Sequence, residues 1–162
     1  RIEGSTLTEP DTAAILFDNA ALPDKSLTEQ LEAKNHQTAL LYLFDRIMKA
    51  DEIDEDFVLK LHGMLMNGIR PDAGSYRSHA VRIVGANVPT ANYLRLPDLM
   101  PTVIAEAAKA GSDGDVIGLS ANVHARFEQI HPFFSASSMA FWRRRSSSRT
   151  RLRFLPSASY SF

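Results

Sequence analysis

The segment from Asp115 to Pro132 constrains the fold more than any other part of the chain. Its apolar residues recur at intervals of three, four, four and three positions, the spacing that places side chains on one face of an α-helix. Pro132 disfavours helical geometry in the residue before it, so we expect the helix to end at His131. The pattern therefore predicts a central helix that ends in a histidine at the entrance to a loop. The apolar residues are Val116, Leu119, Val123, Phe127 and Ile130.

A capping pattern marks the start of a long helix earlier in the chain. Ser26 precedes an apolar periodic stretch and is followed three positions later by Glu29. In a capping box the serine oxygen accepts a hydrogen bond from an early N–H, and the glutamate reaches back to the cap. We expect this helix to run to about Ala50 and to bury an apolar stripe. The stripe consists of Leu40, Leu43, Phe44, Ile47 and Met48.

Cap, turn and strand signals divide the middle of the chain. Asp54 is suited to cap a second helix, and residues 98–110 are predicted to form a third. Residues 80–84 are β-branched and partly alternating, and residues 93–96 are predicted to be the returning strand. The fold class expected is mainly α, a helical bundle with a small β-hairpin over about residues 80–96.

Composition excludes several classes of protein. The chain has 162 residues, of which 44% are hydrophobic, as in one soluble domain. The lack of cysteine excludes disulfides, cysteine metal clusters and thiol nucleophiles, and a reducing, cytoplasmic compartment is expected. The longest apolar run, Ala39–Phe44, is far shorter than the roughly 20 residues of a membrane span. Residues 1–20 lack the pattern of a signal peptide, so no membrane association is expected.

The charge of the chain is unevenly distributed. There are 18 basic and 19 acidic residues in all, yet no acidic residue follows Glu128. Residues 135–162 contain six arginines and nine serines. Such an Arg/Ser-rich tail is suited to binding nucleic acid or another acidic surface. Alternatively, this stretch is not the true continuation of the sequence before it.

His131 is the candidate catalytic residue. Imidazole titrates near neutrality, so a histidine fixed at a helix end is suited to act as a general base. A histidine beside a proline is also a common structural residue, and both interpretations stand on these residues alone. His124 and Glu128 lie within two helical turns of it, but no third strong ligand is nearby, which disfavours a metal site.

Several segments, in this order, resemble the Fic family. The segment at 130–133 resembles the start of the family signature, and the segment at 2–8 resembles an inhibitory segment that precedes the core in some members. Two further segments resemble the family's turn and its hairpin flap. The segments are Ile2-Glu-Gly4 followed by Leu7-Thr8, Arg70-Pro-Asp-Ala-Gly-Ser-Tyr-Arg77, Val81-Arg-Ile-Val-Gly85 with Asn87-Val-Pro89, and Ile130-His-Pro-Phe133.

The resemblance implies a helical Fic bundle with a β-hairpin flap beside the active-site loop. Most Fic domains transfer AMP from ATP, with Mg²⁺, to a hydroxyl side chain of a target protein. By residue match His131 is the general base, supported in the motif by Pro132 and Phe133. The flap residues that hold the target by backbone pairing are Val81, Arg82, Ile83 and Val84.

The resemblance also implies regulation and a division of the chain. Residues 1–20 are the remnant of the inhibitory segment, 21–134 the Fic core and 135–162 the tail of doubtful sequence. Glu3 matches the glutamate that blocks productive ATP binding by pairing with the second signature arginine. A homodimer is a further option that the resemblance leaves open.

The family signature is not continued after Phe133. In the family an acidic residue, Gly-Asn-Gly and two arginines follow, and they hold Mg²⁺ and phosphate. None of them is present, so no metal ligand is confirmed. The six positions hold Ser135, Ala136, Ser137, Ser138, Met139 and Trp142.

Two explanations of this departure remain open. One is a natural degenerate member, which would be a catalytically inactive protein-binding module. The other is that the residues after about Phe133 are out of frame, because the change is abrupt and complete. Binding of nucleic acid by the basic tail is a third functional hypothesis.

Overall fold

The fold is built from α-helices that pack on one another in chain order. The computed structural model describes residues 5–82, 89–111 and 115–134. In these ranges it contains five α-helices, two short 3-10 segments and no β-strand, which confirms the mainly α prediction. Each helix packs on the next one along the chain. The helices are α1 (Glu9–Phe17), α2 (Leu27–Met48), α3 (Glu55–Leu65), α4 (Leu96–Ala107) and α5 (Val116–Ile130).

Side-chain caps fix where the first three helices begin. The predicted caps are confirmed, since Ser26 accepts from the Glu29 N–H at 3.2 Å and Asp54 caps α3. The Glu29 carboxylate accepts from the Ser26 hydroxyl at 2.8 Å and the Thr6 N–H at 2.5 Å. The Thr6 N–H lowers the pKa of this carboxylate most, and a hydrogen bond with the Ser26 backbone makes the smallest contribution. A complete reciprocal box occurs at α1, between Thr8 and Asp11.

The core lies between α4 and α5, as expected for a central last helix. Its buried residues are Leu96, Met100 and Val103 of α4 and Ile130 of α5. Half-buried side chains from α3, the turn after it, a 3-10 segment, α4 and α5 complete this cluster. These side chains include Val58, Tyr76, Tyr93, Leu99, Val123 and Phe127. His131 directly follows the core residue Ile130.

The predicted burial of the α2 stripe is wrong. Phe44 is 58% exposed, Ile47 60% and Met48 85%, and Leu40 is also exposed. Periodicity shows that one helix face is apolar, but burial also requires an element that packs against that face. α2 packs on α1 and α3, and within the described ranges this part of its surface stays uncovered.

The second limb of the predicted hairpin is also wrong. Tyr93–Arg95 form a 3-10 segment that leads directly into α4, which begins at Leu96 rather than at residue 98. Pro97 lies in the first turn of α4, where its missing N–H costs no hydrogen bond. Between the limbs, residues 83–88 lie outside the described ranges.

Several residues of the sequence-based interpretation also fall outside the described ranges. Glu3 and the flap residues Ile83 and Val84 are among them, as are the signature positions Ser135, Ala136, Ser137, Ser138, Met139 and Trp142. Within the described part, no helix combines the length and apolar content that crossing a bilayer requires.

Candidate active site

His131 lies at the C-terminal end of α5, as the proline after it predicts. Its N–H donates to Phe127 O at 2.8 Å, and its backbone is left-handed, with φ 50° and ψ 63°. This conformation commonly ends a helix, but glycine is the usual residue there. For a residue with a side chain, the left-handed conformation costs about 1–2 kcal/mol relative to the right-handed helical one. The surrounding structure must therefore hold His131 in place.

The His131 ring is half-buried and favours its neutral form. Burial lowers the pKa of His131 below its ordinary value of 6.5. The Glu128 carboxylate opposes this shift, and the positive charge of Arg77 adds to it. A neutral imidazole has a free lone pair, so the ring is in the state that a general base requires at neutral pH.

Arg77 is the buried residue that organises the backbone at this site. It is 3% exposed, and its Nε donates to His131 O at 2.7 Å. Nη1 donates to His79 O at 2.8 Å, while Nη2 donates to Ala91 O at 2.5 Å and to Ile130 O at 3.2 Å. One guanidinium thus joins four carbonyls from three segments of the chain.

Backbone hydrogen bonds reinforce the same junction. The Arg77 N–H donates to Pro132 O at 2.9 Å, and the Ala91 N–H donates to Gln129 O at 3.3 Å. The Thr90 hydroxyl donates to Val81 O at 2.8 Å, which ties together the two described ends of the predicted flap. The end of α5 and both ends of the flap therefore meet at one place.

The flap residues are only partly described. Val81 is half-buried and Arg82 is exposed. They follow directly on the backbone that Arg77 holds at His79, so the start of the flap lies next to the His131 turn.

Pro132 and Phe133 anchor the chain as it leaves α5. Pro132 is fully buried. The ring of Phe133 stacks on the His62 imidazole with centroids 3.8 Å apart, and it also contacts the rings of Tyr76 and Phe127. These aromatic contacts fix the residue two positions after His131, and so support the turn.

His62 on α3 links this aromatic cluster to the turn before Arg77. Its Nδ1 accepts from the Gly74 N–H at 3.1 Å, and burial lowers the pKa of His62. Gly74 has φ +80°, and a Cβ there would approach the Gly63 Cα at 3.5 Å. A residue other than glycine would therefore be strained at position 74.

Phe134, the last described residue, packs under the same turn. The Arg70 guanidinium lies 4.3 Å from the centre of its ring, and Arg70 also donates to Asp72 at 2.7 and 3.0 Å. The His79 ring is tilted against Phe134 at 5.4 Å. Residues 131–134 are thus held against the turn on both sides of Arg77.

The described residues do not assemble a metal site. No group of three or more His, Asp or Glu side chains is placed to hold a cation in the part of the chain that the structure describes. This part of the chain includes His124, Glu128 and His131, the group that the sequence raised as a metal option. Arg77 ends the turn segment on which the resemblance rests, but its contacts at this site could not be identified from the sequence, because Ile130 and His131 lie 53 and 54 positions away.

A comparison with protein-family profiles shows to which family the chain belongs. A profile of the Fic/DOC family matches residues 52–139. The chain belongs to the Fic/DOC family. This match includes the turn, the described flap ends and the His131 segment, so the resemblance based on motifs is confirmed.

Curated relatives carry related names. Protein adenylyltransferase fic-1 of Caenorhabditis briggsae is 31% identical over 138 residues, which is 82% of this chain and 26% of that protein. Protein adenylyltransferase Fic of Nematostella vectensis is 36% identical over 92 residues, which is 56% of this chain and 21% of that protein. The chain thus spans about a quarter of the length of these relatives.

Solved structures show the Fic fold. A Fic domain containing signaling protein from Bacteroides thetaiotaomicron matches with a TM-score of 0.72 at 23% identity, covering 86% of this chain and 55% of that one. Fic-1 from C. elegans matches with a TM-score of 0.66, also at 23% identity, covering 86% of this chain and 42% of that one.

Proposed function

We propose that this Fic domain serves protein adenylylation, the transfer of AMP from ATP to a hydroxyl side chain of a target protein. The family and the names of the relatives support the reaction class. The observation that carries the proposal is the placement of His131. Burial lowers the pKa of its ring, its backbone is fixed, and Arg77 joins its turn to the two described ends of the flap.

His131 is the general base in this proposal. A neutral imidazole accepts the proton of the target hydroxyl and leaves its oxygen more nucleophilic. A base positioned in this way contributes about 10²- to 10⁴-fold in rate. The half-buried ring supports this role, since it combines access to a target with partial exclusion of water.

The flap positions the target segment. Backbone pairing along Val81–Val84 would hold an extended peptide with little demand on its sequence, because the hydrogen bonds involve only main-chain atoms. Arg77 fixes the two described ends of the flap, at His79 and Ala91, relative to His131, which supports delivery of a target hydroxyl to the base.

The residues present do not fit ATP and Mg²⁺. Arg77 is the cation that contacts the His131 turn, but it is buried and already donates to four carbonyls. The positions that the family uses for Mg²⁺ and phosphate hold no carboxylate, glycine or arginine. We therefore derive no nucleotide-binding step for this chain, and we expect it to be inactive as written.

Glu3 is proposed as the inhibitory residue of the complete enzyme. The segment directly after it is anchored to the start of α2, because Thr6 N–H donates to Glu29 and the Lys25 ammonium donates to Thr6 O at 3.1 Å. Trp142 stands at the position of the partner arginine, so this chain cannot form the inhibitory pair.

Restoring the signature tests the proposal. The repaired chain carries Ser135→Asp, Ala136→Gly, Ser137→Asn, Ser138→Gly, Met139→Arg and Trp142→Arg. It also carries Glu3→Gly, so that the proposed inhibitory glutamate does not pair with the restored arginine at position 142. We expect Mg²⁺-dependent labelling from ATP labelled on its α-phosphate in the repaired chain, and none in the chain as written. Adding His131→Ala to the repaired chain should reduce the labelling at least about 100-fold.

Two outcomes contradict the proposal. Labelling that persists after His131→Ala would remove His131 as the base. A repaired chain that is folded, and whose melting temperature rises with ATP and Mg²⁺, yet transfers no label would contradict adenylylation. The sequence of the gene across residues 131–152 shows whether the repaired residues are the natural ones.

A non-catalytic function is favoured by one observation. The six signature positions after Phe133 are all replaced, whereas the described fold and the flap ends are intact. If the gene encodes residues 135–145 as written, the domain is a protein-binding module that retains the flap and lacks the chemistry.

A further inference from the structure

The environment of Arg77 is unusual for a buried arginine. Arg77 is 3% exposed, so its charge is largely removed from water, and this burial lowers the pKa of its guanidinium. Buried charges normally require an ionic partner. Among the described residues no carboxylate pairs with Arg77, and backbone carbonyls of residues 79, 91, 130 and 131 compensate the charge instead.

Two of these carbonyls belong to the end of α5. The last carbonyls of a helix have no partner within the helix, and the helix dipole makes this end negative. Arg77 donates to Ile130 O and His131 O, so it supplies both the missing donors and a positive charge. These bonds also hold the strained left-handed backbone of His131, a conformation that persists only when its surroundings enforce it.

The other two carbonyls belong to the ends of the flap. His79 O and Ala91 O accept from the opposite nitrogens of the guanidinium. The planar guanidinium of arginine has donors at fixed angles. A shift of either flap end therefore changes the alignment of the guanidinium with the His131 turn. The flap and the candidate base are thereby coupled through one side chain.

We propose that Arg77 is a positioning residue for His131, which sets the orientation of the base and aligns the flap with it. This inference rests on the proposed role of His131 as the base. In this arrangement a target peptide held on the flap is placed at a defined distance from the imidazole. Arg77 itself touches no reacting atom.

Three variants test the proposal without requiring catalysis. Arg77→Met removes the charge and all the side-chain donors, whereas Arg77→Lys keeps the charge but lacks the planar fork. Arg126→Met is the matched control, because it removes an arginine of α5 that pairs with Glu106 and does not bond to residues 129–132. The measurements are the NMR titration of the His131 ring and the hydrogen exchange of the Ala91 and His131 amides.

Arg77→Met should change both measurements. The His131 titration midpoint rises, because Arg77 lowers the pKa of His131 and the Glu128 charge remains. The Ala91 and His131 amides exchange about tenfold to a hundredfold faster, relative to the Ala39 amide of α2, because hydrogen bonds to a charged donor are lost. Arg77→Lys should preserve the midpoint more closely and still accelerate exchange, and Arg126→Met should change neither.

A purely structural role gives a different result. It would lower the stability of the whole domain, so the Ala39, Ala91 and His131 amides would accelerate together, with no additional acceleration at Ala91 and His131. That pattern in a folded Arg77→Met or Arg77→Lys variant overturns the proposal.

If neither Arg77 variant folds, hydrogen exchange in the wild type tests the coupling instead. The Arg77, Ala91 and His131 amides should open as one unit, with equal opening free energies and equal dependence on denaturant. Independent opening of these amides contradicts the coupling. Because none of these readouts involves ATP, failure of adenylylation and failure of the Arg77 proposal are separate results.

Discussion

The imidazole of His62 lies flat against the ring of Phe133, with centroids 3.8 Å apart and planes 12° apart. This stack joins α3 to the residue that follows the buried Pro132. The stack therefore connects α3 to the segment of chain that directly follows His131.

Replacing Phe133 by alanine should destabilise the domain. The substitution removes the stack on His62 and the contacts with Tyr76 and Phe127. Because Phe133 is half-buried, we expect a loss of about 2–4 kcal/mol in the free energy of unfolding, slightly below the roughly 3–5 kcal/mol of truncating a fully buried phenylalanine. Urea denaturation of Phe133→Ala measures it.

A double-mutant cycle separates the stack from the remaining packing. The cycle compares Phe133→Ala and His62→Ala with the variant that carries both substitutions. We expect an interaction energy between the two rings of about 1 kcal/mol. Phe17→Ala is the control, since that ring is 80% exposed, and it should cost less than about 0.5 kcal/mol. Additive effects of the two ring deletions would contradict the stacking contribution.

Stability should fall as the pH is lowered from 7 to 5. Burial lowers the pKa of His62 below 6.5, so the folded state binds its proton less readily than the unfolded state. The stabilisation is complete above pH 6.5 and is lost as the pH falls through the folded-state pKa. Protonation of Nδ1 also breaks its hydrogen bond with the Gly74 N–H. Burial lowers the pKa of His131 as well, which adds to the effect.

His62→Asn isolates the contribution of His62. An amide oxygen can still accept from Gly74, but it does not titrate, so the variant should be less stable at pH 7 and lose less stability between pH 7 and pH 5. The readout is the urea midpoint at both pH values, with the exposed His36 changed to Asn as the control. An unchanged difference between the two pH values in His62→Asn would refute the assignment.

The sequence predicted those features that depend on nearby residues. Ser26 and Asp54 cap helices through N–H groups only three positions away, and Pro132 acts on the residue directly before it. The end of α5 at His131 was therefore predictable, together with the mainly α fold. Motif resemblance added the family and the candidate base.

The sequence could not predict contacts between distant residues. The partners of Arg77 at Ile130 and His131 lie 53 and 54 positions further along the chain. A pattern of charge or hydropathy carries no information about such pairs. For the same reason the apolar face of α2 was predicted to be buried, since periodicity does not show whether another element covers it.

The left-handed backbone of His131 predicts an inverted order of stability between glycine and alanine. At an ordinary helical position glycine is less stable than alanine. At φ 50° the Cβ of alanine is strained, so His131→Gly should be more stable than His131→Ala by about 1 kcal/mol. Thermal unfolding of both variants measures the difference.

A matched pair on the same helix serves as the control. Glu128→Gly and Glu128→Ala change a position inside α5, where alanine should be the more stable by about 1 kcal/mol. The same order at position 131 would show that the turn is not left-handed in solution.

The Glu29 carboxylate should anchor the segment that follows Glu3 to the start of α2. The Thr6 N–H and then the Ser26 hydroxyl lower the pKa of Glu29 to about 2. Because the folded-state pKa is depressed, this anchor is present above pH 4.5 and is lost as the pH falls from 4.5 towards 2. Glu29→Gln removes the charge and should weaken the anchor at neutral pH.

Hydrogen exchange of the Thr6 amide measures the anchor. It should accelerate in Glu29→Gln at pH 7, and the loss of stability between pH 4.5 and pH 2 should become smaller. Asp24→Asn, which changes an exposed carboxylate on the turn before α2, is the control. Equal Thr6 exchange in wild type and Glu29→Gln would show that the carboxylate does not hold this segment.

The exposed face of α2 should bind hydrophobic probes. Phe44, Ile47 and Met48 lie next to one another on this face and are mostly exposed, and exposed apolar patches mark association sites. The triple variant Phe44→Ser, Ile47→Ser and Met48→Ser should reduce the fluorescence of bound anilinonaphthalene sulfonate and concentration-dependent association. Each surface change should alter the free energy of unfolding by no more than about 0.5 kcal/mol.

A triple variant with scattered positions provides the matched control. Phe17, Leu27 and Ile117 are each at least 71% exposed but lie on three different helices, so changing them to Ser removes similar apolar area without removing a patch. Its probe binding should stay close to that of the wild type. If the three side chains were buried, the α2 triple variant would instead lose several kcal/mol of unfolding free energy. Such a loss would show that the α2 face is covered in solution and would contradict the prediction.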